Sequence, residues 1–336
     1  MCTSLTYTNQ NGGHFLARTM DYSIDFGARI MFMPRHCAVK GDAGEFLTKY
    51  GFIGAGRQLK HELFTDGVNE YGVGVATLYF PDHAVYQEKA DAGKLALAPQ
   101  DFVAWALGNA KSIDDLREHI KHVQLISHPA EVVAMVPPLH FIISDPTGET
   151  VVLEPTGPEL KLINDPVGVM TNSPDLDWHL QNISTYGMLT NTEQPLQQYG
   201  DYHPMTQGPG TGAIGLPGDY TSISRFVRTN YLKHYIEVPA DTPDTLNLLQ
   251  YILNSVTIPK GVKKVSDGES DYTEYRSYMD LDGLTYSMEL YENPGDLQQV
   301  ALTDDMLNNV THPVEYPLNH QAHVHILNTE ETSELN

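Results

Sequence analysis

A cysteine stands at position 2, and an arginine and an aspartate follow at positions 18 and 21. If Met1 is removed, Cys2 becomes the first residue and carries both a thiol and a free α-amino group. The reference pKa is about 7.7–8.0 for an α-amino group and about 8.5 for a thiol. A nucleophile with its own general base, both poised near neutral pH, can attack an amide carbonyl. Arg18 could supply positive charge that favours the thiolate, and Asp21 a carboxylate that holds and orients the ammonium form. The plain alternatives are a small apolar Cys2 opening a buried strand, and a surface ion pair between Arg18 and Asp21.

For that chemistry, Arg18 and Asp21 must return to the start of the chain. Residues 3–8 and 14–20 read as two short strands joined across Asn9-Gln10-Asn11-Gly12-Gly13, a Gly/Asn turn signal, and a hairpin there brings them back. Residues 29–33 and 72–80 are further β-rich runs. Residues 99–109 read as a helix with Pro99 at its start. Ser112 caps a second helix with Ile113, Leu116, Ile120 and Val123 on one face. Residues 140–144 and 149–154 flank a turn at Asp145-Pro146-Thr147-Gly148, and a strand ending at Val169-Met170-Thr171 puts Asn172 at its tip. Residues 192–221 show no period and read as a long ordered loop. Helices follow near 222–236 and 243–256, then a long hairpin over 272–291 around Asp282-Gly283. Helices in the middle, with strands before, between and after them, argue for a layered α+β fold. No repeat or linker divides the chain, so one domain is expected over residues 2–327. The acidic, polar tail at 328–336 reads as disordered.

Several segments together resemble one known family. They are Ala17-Arg18-Thr19-Met20-Asp21, Asp66-Gly67-Val68-Asn69-Glu70, and Gly168-Val169-Met170-Thr171-Asn172-Ser173-Pro174 with Trp178-His179. Leu216-Pro217-Gly218-Asp219-Tyr220 leading to Ser224-Arg225-Phe226, and Ile258-Pro259-Lys260-Gly261-Val262, complete the set. The chain resembles the choloylglycine hydrolases, N-terminal-nucleophile amidases that include penicillin V acylases and conjugated bile-acid hydrolases. It looks most like the Gram-positive penicillin V acylases. The resemblance implies a four-layer αββα sandwich, a homotetramer, no cofactor and no metal. It implies Cys2 as nucleophile, Asp21 orienting the α-amino group, and Arg18 keeping the site positive and contacting substrate. Arg225 is then the second cation, while Arg228 matches no family position and reads as a helix-surface charge. Asn172 falls where the family uses a side-chain amide in the oxyanion hole, a kind of donor whose loss typically costs about 2.7–4 kcal/mol of activation energy. The Tyr79 backbone N–H completes that hole, its ring lines the acyl pocket, and Met20 is a further wall. Members favouring bile salts usually carry Asn where this chain has Tyr79. The implied substrate is therefore a phenoxyacetyl-type N-acyl amide, with N-acyl homoserine lactones a further class by analogy. Glycine- or taurine-conjugated bile acids are the alternative, and a non-catalytic binding protein on the same fold is the alternative of another class.

Composition narrows the partners. Lys and Arg number 20 against 43 Asp and Glu, a formal net charge of −23 over 336 residues. Such a surface repels nucleic acid and anionic membrane. Two cysteines, Cys2 and Cys37, make no disulfide framework, and Cys37 reads as structural. Without a visible signal peptide or an apolar run long enough to span a bilayer, the expectation is a cytoplasmic enzyme. Gly210-Thr211-Gly212-Ala213-Ile214-Gly215 spells a dinucleotide fingerprint but lacks the strand before it and the helix after it. His320, His323 and His325 read as solvated histidines, not as a metal site.

Overall fold

The turn that returns Arg18 and Asp21 to the chain start forms as the sequence suggests. Gly12 takes φ +83°, a conformation glycine adopts without cost, and the Asn9 side chain accepts from the Gly13 N–H at 2.8 Å. The computed structural model describes residues 2–205, 208–322 and 324.

In chain order the strands are β1 (Cys2–Thr8), β2 (His14–Tyr22), β3 (Arg29–Met33), β4 (Ala38–Lys40), β5 (Glu45–Leu47) and β6 (Phe52–Gln58). Next come β7 (Glu62–Asn69), β8 (Gly74–Tyr79), β9 (Leu95–Leu97), β10 (Val123–Leu125), β11 (Leu139–Ser144) and β12 (Thr150–Leu153). The last are β13 (Leu162–Asn164), β14 (Val169–Met170), β15 (Tyr272–Asp280), β16 (Thr285–Leu290), β17 (Gln298–Ala301) and β18 (Val314–Tyr316). The α-helices are α1 (Phe102–Asn109), α2 (Ile113–His119), α3 (Leu176–Ile183), α4 (Ser222–Tyr235), α5 (Thr242–Asn254) and α6 (Asp304–Asn309).

Two antiparallel sheets carry the architecture. One has the order β14-β1-β2-β15-β16-β17, the other β13-β12-β11-β8-β7-β6-β3-β18. Leu16 and Met20 from the first sheet and Ala76 and Ile142 from the second belong to one core, which continues through Phe226 of α4 and Leu249 of α5. A separate core packs Phe141 and Val75, on the other face of the second sheet, against Trp105 and Leu107 of α1 and Leu116 of α2. Helices thus cover the outer faces of both sheets, the expected αββα order.

Short elements differ most from the sequence reading. The Ser112 cap forms, accepting from Asp115 N, but Ile120 lies in a 3₁₀ turn and Val123 in β10. α3 has no long apolar stripe and is nucleated by Asp175, whose side chain accepts from Trp178 N. β6 and β7 escape period-2 detection because both faces are covered and glycines interrupt them. The fingerprint at 210–215 is a 3₁₀ turn in the long loop. His320 is exposed, and His323, His325 and the 328–336 tail lie outside the described residues.

Arg228 is corrected outright. It is 7% exposed, and its guanidinium donates to the carbonyls of Ser255, Pro217 and Asp219 at 2.7–3.1 Å. It ties the middle of α4 to the preceding loop and to the end of α5, which helical spacing alone could not reveal.

Gly54 and Gly67 face each other across β6 and β7. A Cβ on Gly54 would lie 2.1 Å from the Asp66 carbonyl oxygen and 2.8 Å from Gly67 Cα. Overpacking of this kind typically costs about 1–3 kcal/mol. Gly54→Ala should therefore lower the thermal midpoint measurably; an unchanged midpoint would mean the two strands part without penalty.

Candidate active site

Register sets the first contacts. β1 and β2 pair Cys2 with Met20 and Ser4 with Arg18, so Cys2 and Arg18 are diagonal neighbours on one face of the sheet. Arg18 Nη2 donates to Cys2 Sγ at 2.9 Å and approaches Met20 Sδ at 3.5 Å. Its Nη1 donates to Asp66 Oδ2 of the facing sheet at 2.9 Å, and its Nε to Thr19 O at 3.1 Å. The guanidinium is fully buried. Burial opposes its charge, but Cys2, Tyr275 and Asp66 outweigh that and raise its pKa above the ordinary value.

The odd-numbered residues point through the sheet to α4. Asp21 accepts from Thr19 Oγ1 at 3.0 Å and from Thr273 Oγ1 at 2.6 Å, with Arg225 Nη1 3.9 Å away. Burial raises the Asp21 pKa, an effect the Arg225 charge opposes. Arg225 lies in the first turn of α4, which Thr221 caps. Its Nη1 donates to Cys2 O and Thr3 Oγ1, both at 2.5 Å, and its Nη2 to Asn172 Oδ1 at 2.6 Å. Burial lowers its pKa, with Asp21 and Cys2 opposing.

Asn172 is held from three sides. Its backbone N–H donates to Ser222 Oγ at 2.9 Å, while its Oδ1 accepts from the Cys2 N–H at 2.9 Å. Its Nδ2 donates to Tyr79 O at 2.6 Å, which leaves the second amide hydrogen as the donor available for an oxyanion. Phe80 N–H donates to Pro138 O, so alternation turns the N–H and C=O of Tyr79 to the other edge of β8. β7 quits that edge at the Asp66–Ala76 pair, so the Tyr79 N–H faces the side on which Asn172 sits. The Asn172 amide and the Tyr79 N–H thus lie on the same edge of β8.

A cavity of about 80 Å³ with an almost wholly apolar lining opens beside Cys2. Met20, Tyr22, Phe26, Leu63, Tyr79 and Leu139 are among its walls. Tyr22 stacks on Phe26 with centroids 5.2 Å apart and meets the edge of Tyr79 at 6.1 Å. Met20 and Tyr79 are thus both on its wall. Arg18 is 0% exposed, and its guanidinium reaches the sulfur from beneath.

A thiol beside a guanidinium, with converging amide donors and an apolar cleft, is suited to acyl transfer from an apolar acyl amide. Residues 2–316 match the linear amide C–N hydrolases, choloylglycine hydrolase family. The chain belongs to the choloylglycine hydrolase family. A bile salt hydrolase/transferase from Clostridium perfringens is 35% identical over 298 residues, covering 87% of this chain and 90% of that protein. One from Lactiplantibacillus plantarum is 31% identical, covering 98% of this chain and all of its own. The crystal structure of the C2A mutant of the C. perfringens conjugated bile acid hydrolase superposes with a TM-score of 0.89 at 31% identity, covering 98% and 100% of the two chains. A penicillin V acylase from Pectobacterium atrosepticum is more distant, at 24% identity over 87% of this chain and 79% of its own. The weight of likeness thus lies with the bile salt hydrolases and not, as the sequence suggested, with the penicillin V acylases. As a family member, the chain is a linear amide C–N hydrolase.

Several site residues carried no sequence role. Asp66 lay inside a family segment without an assigned task. Thr19, Thr273 and Ser222 gave no signal, because hydroxyls are common in strands and helix starts. Among the described residues, Asp42, His61 and Asp101 form one cluster close enough for a metal. There His61 Nε2 sits 2.7 Å from Asp101 Oδ1, and that hydrogen bond raises the histidine pKa. No helix among the described residues is long and apolar enough to cross a membrane.

Glu274, on β15, accepts from the N–H of Phe26, a cavity wall. Burial is the main cause that raises its pKa to about 8. A carboxyl with a raised folded pKa stabilises the fold most below its unfolded value, and that contribution is lost as pH rises to about 8. Glu274→Gln should therefore flatten the fall in thermal midpoint between pH 5 and pH 9. Parallel slopes for the two proteins would show that Glu274 does not take up this proton.

Proposed function

We propose that this chain hydrolyses glycine- or taurine-conjugated bile acids through Cys2. The observation that carries amide hydrolysis is the Cys2 sulfur, held by Arg18 at 2.9 Å and opening on an apolar cavity. The bile salt hydrolases at 31–35% identity support the substrate class. Removal of Met1 frees the Cys2 amine beside Asn172 Oδ1, with Asp21 nearby to orient its ammonium form. The thiol proton passes to that amine as the sulfur bonds to the amide carbonyl carbon. Asn172 Nδ2–H and the Tyr79 N–H take the charge on the carbonyl oxygen. The C–N bond then breaks, the amine product leaves with the proton, and a thioester remains. Water adds to the thioester, gives its proton to the Cys2 amine, and the C–S bond breaks to release the acid and restore the thiol. An apolar acyl body lies in the cavity while the polar amine part faces solvent.

A second reading, a compact aromatic acyl group such as phenoxyacetyl, is favoured by one observation. The cavity volume of about 80 Å³, with the Tyr22 and Tyr79 rings among its walls, is nearer the scale of a single aromatic ring than of a fused polycyclic body. Both readings retain the homotetramer implied by the resemblance, which light scattering would test.

Amine release from glycocholate, taurocholate and penicillin V, measured side by side, decides between them. Bile-salt cleavage that falls to background in Cys2→Ser is the expected result. A marked preference for penicillin V would transfer the assignment to the compact acyl class. If no substrate releases amine from protein whose intact mass shows Met1 gone, a non-catalytic binding role takes precedence.

A further inference from the structure

Asp66 receives more donors than any ordinary ion pair requires. Its Oδ2 accepts from Arg18 Nη1 and Tyr275 Oη, both at 2.9 Å, and its Oδ1 accepts from Ser277 Oγ at 3.0 Å and from Tyr286 Oη. Arg18, Tyr275, Ser277 and Tyr286 belong to the β1–β2–β15–β16 side, whereas Asp66 comes from β7 in the facing sheet. The carboxylate is fully buried, so water cannot replace any of these partners. A carboxylate is an acceptor only, and every group facing it here is a donor. Its position is thereby fixed, and with it the plane of the guanidinium, whose other nitrogen reaches Cys2 Sγ.

We propose that Asp66 is a positioning residue for the nucleophile, acting on Cys2 only through Arg18. The network makes the inter-sheet contact part of the active site: Tyr275, Ser277 and Tyr286 hold Asp66, Asp66 holds one edge of Arg18, and Arg18 holds the sulfur. An asparagine at 66 would keep the shape but turn an amide N–H₂ toward a donor. The guanidinium would then lose its bond or rotate away from Cys2. A reacting group displaced by about 1 Å can cost on the order of 100-fold in rate. The proposal rests on Cys2 being the nucleophile, but its test reads thiol reactivity and needs no substrate.

The test is a double-mutant cycle on the rate of Cys2 alkylation by iodoacetamide. Alkylation is followed by mass spectrometry of the N-terminal peptide, which separates Cys2 from Cys37, and is measured against pH for the parent, Asp66→Asn, Arg18→Lys and the double variant. Asp66→Asn should slow alkylation near neutral pH by about tenfold or more and move the rate profile to higher pH. Added to Arg18→Lys, it should change little, because partners in one network are not additive. Additive effects, or an unmoved pH profile in a folded Asp66→Asn protein, would overturn the proposal. Should Asp66→Asn not fold, Tyr275→Phe removes one donor from the oxygen that Arg18 uses. It should move the profile in the same direction by less, and an unmoved profile there would equally overturn it. Amide hydrolysis that survives Cys2→Ser would instead reject the nucleophile assignment and leave the Arg18–Asp66 link to the alkylation cycle.

Discussion

Two guanidinium groups buried within reach of residue 2 set the terms for everything else. Neither Arg18 nor Arg225 exposes any surface, so each charge must be met by protein groups alone. Breaking a buried ion pair by removing one partner typically costs about 3–5 kcal/mol, which makes the surrounding acceptors structural necessities. Arg18 is met by Asp66 and the Cys2 sulfur, and Arg225 by Asn172, the Cys2 carbonyl and Asp21. The two cations thereby hold residue 2 from opposite sides.

That clamp explains the division of labour across the sheet. Alternation along β1 and β2 sends Cys2, Met20 and Arg18 toward the facing sheet and the cavity. It sends Thr3, Thr19 and Asp21 toward α4. The sulfur therefore lies between the sheets, beside Arg18 and the cavity, while the Asp21 carboxylate sits on the helix side. Asn172 stands at the edge, where β14 ends, and joins the two by bonding the Cys2 nitrogen, Arg225 and Tyr79. A one-residue slip in this hairpin would exchange the faces and dismantle the site.

The cavity follows from the same layering. Its walls come from the end of β2, the loop after it, β7 and β8, and the segment before β11. Tyr22, Phe26 and Tyr79 pack together on its wall, and almost all of the surface it presents is apolar.

Much of this was legible in the amino-acid order. The Asn/Gly turn at 9–13 determined the hairpin, because few other residues accept its backbone, and the hairpin alone returns Arg18 and Asp21 to Cys2. Long periodic segments such as 243–256, and the alternation around Asp282-Gly283, announced themselves because burial of one face leaves a pattern. The motif segments pointed to the family, and with it to Cys2, Asn172, Tyr79 and Arg225 as candidate site residues. Their partners were another matter. Asp66 meets Arg18 across 48 positions and Tyr286 across 220, and Arg228 turned out buried under a loop that no period describes. Hydrogen bonds between strands of different sheets leave no trace in local spacing, since any Asp, Tyr or Ser satisfies the local rules equally well. Residue types and the hairpin were thus decided by sequence; which charge answers which, and where the sulfur points, only the packing of the two sheets decides.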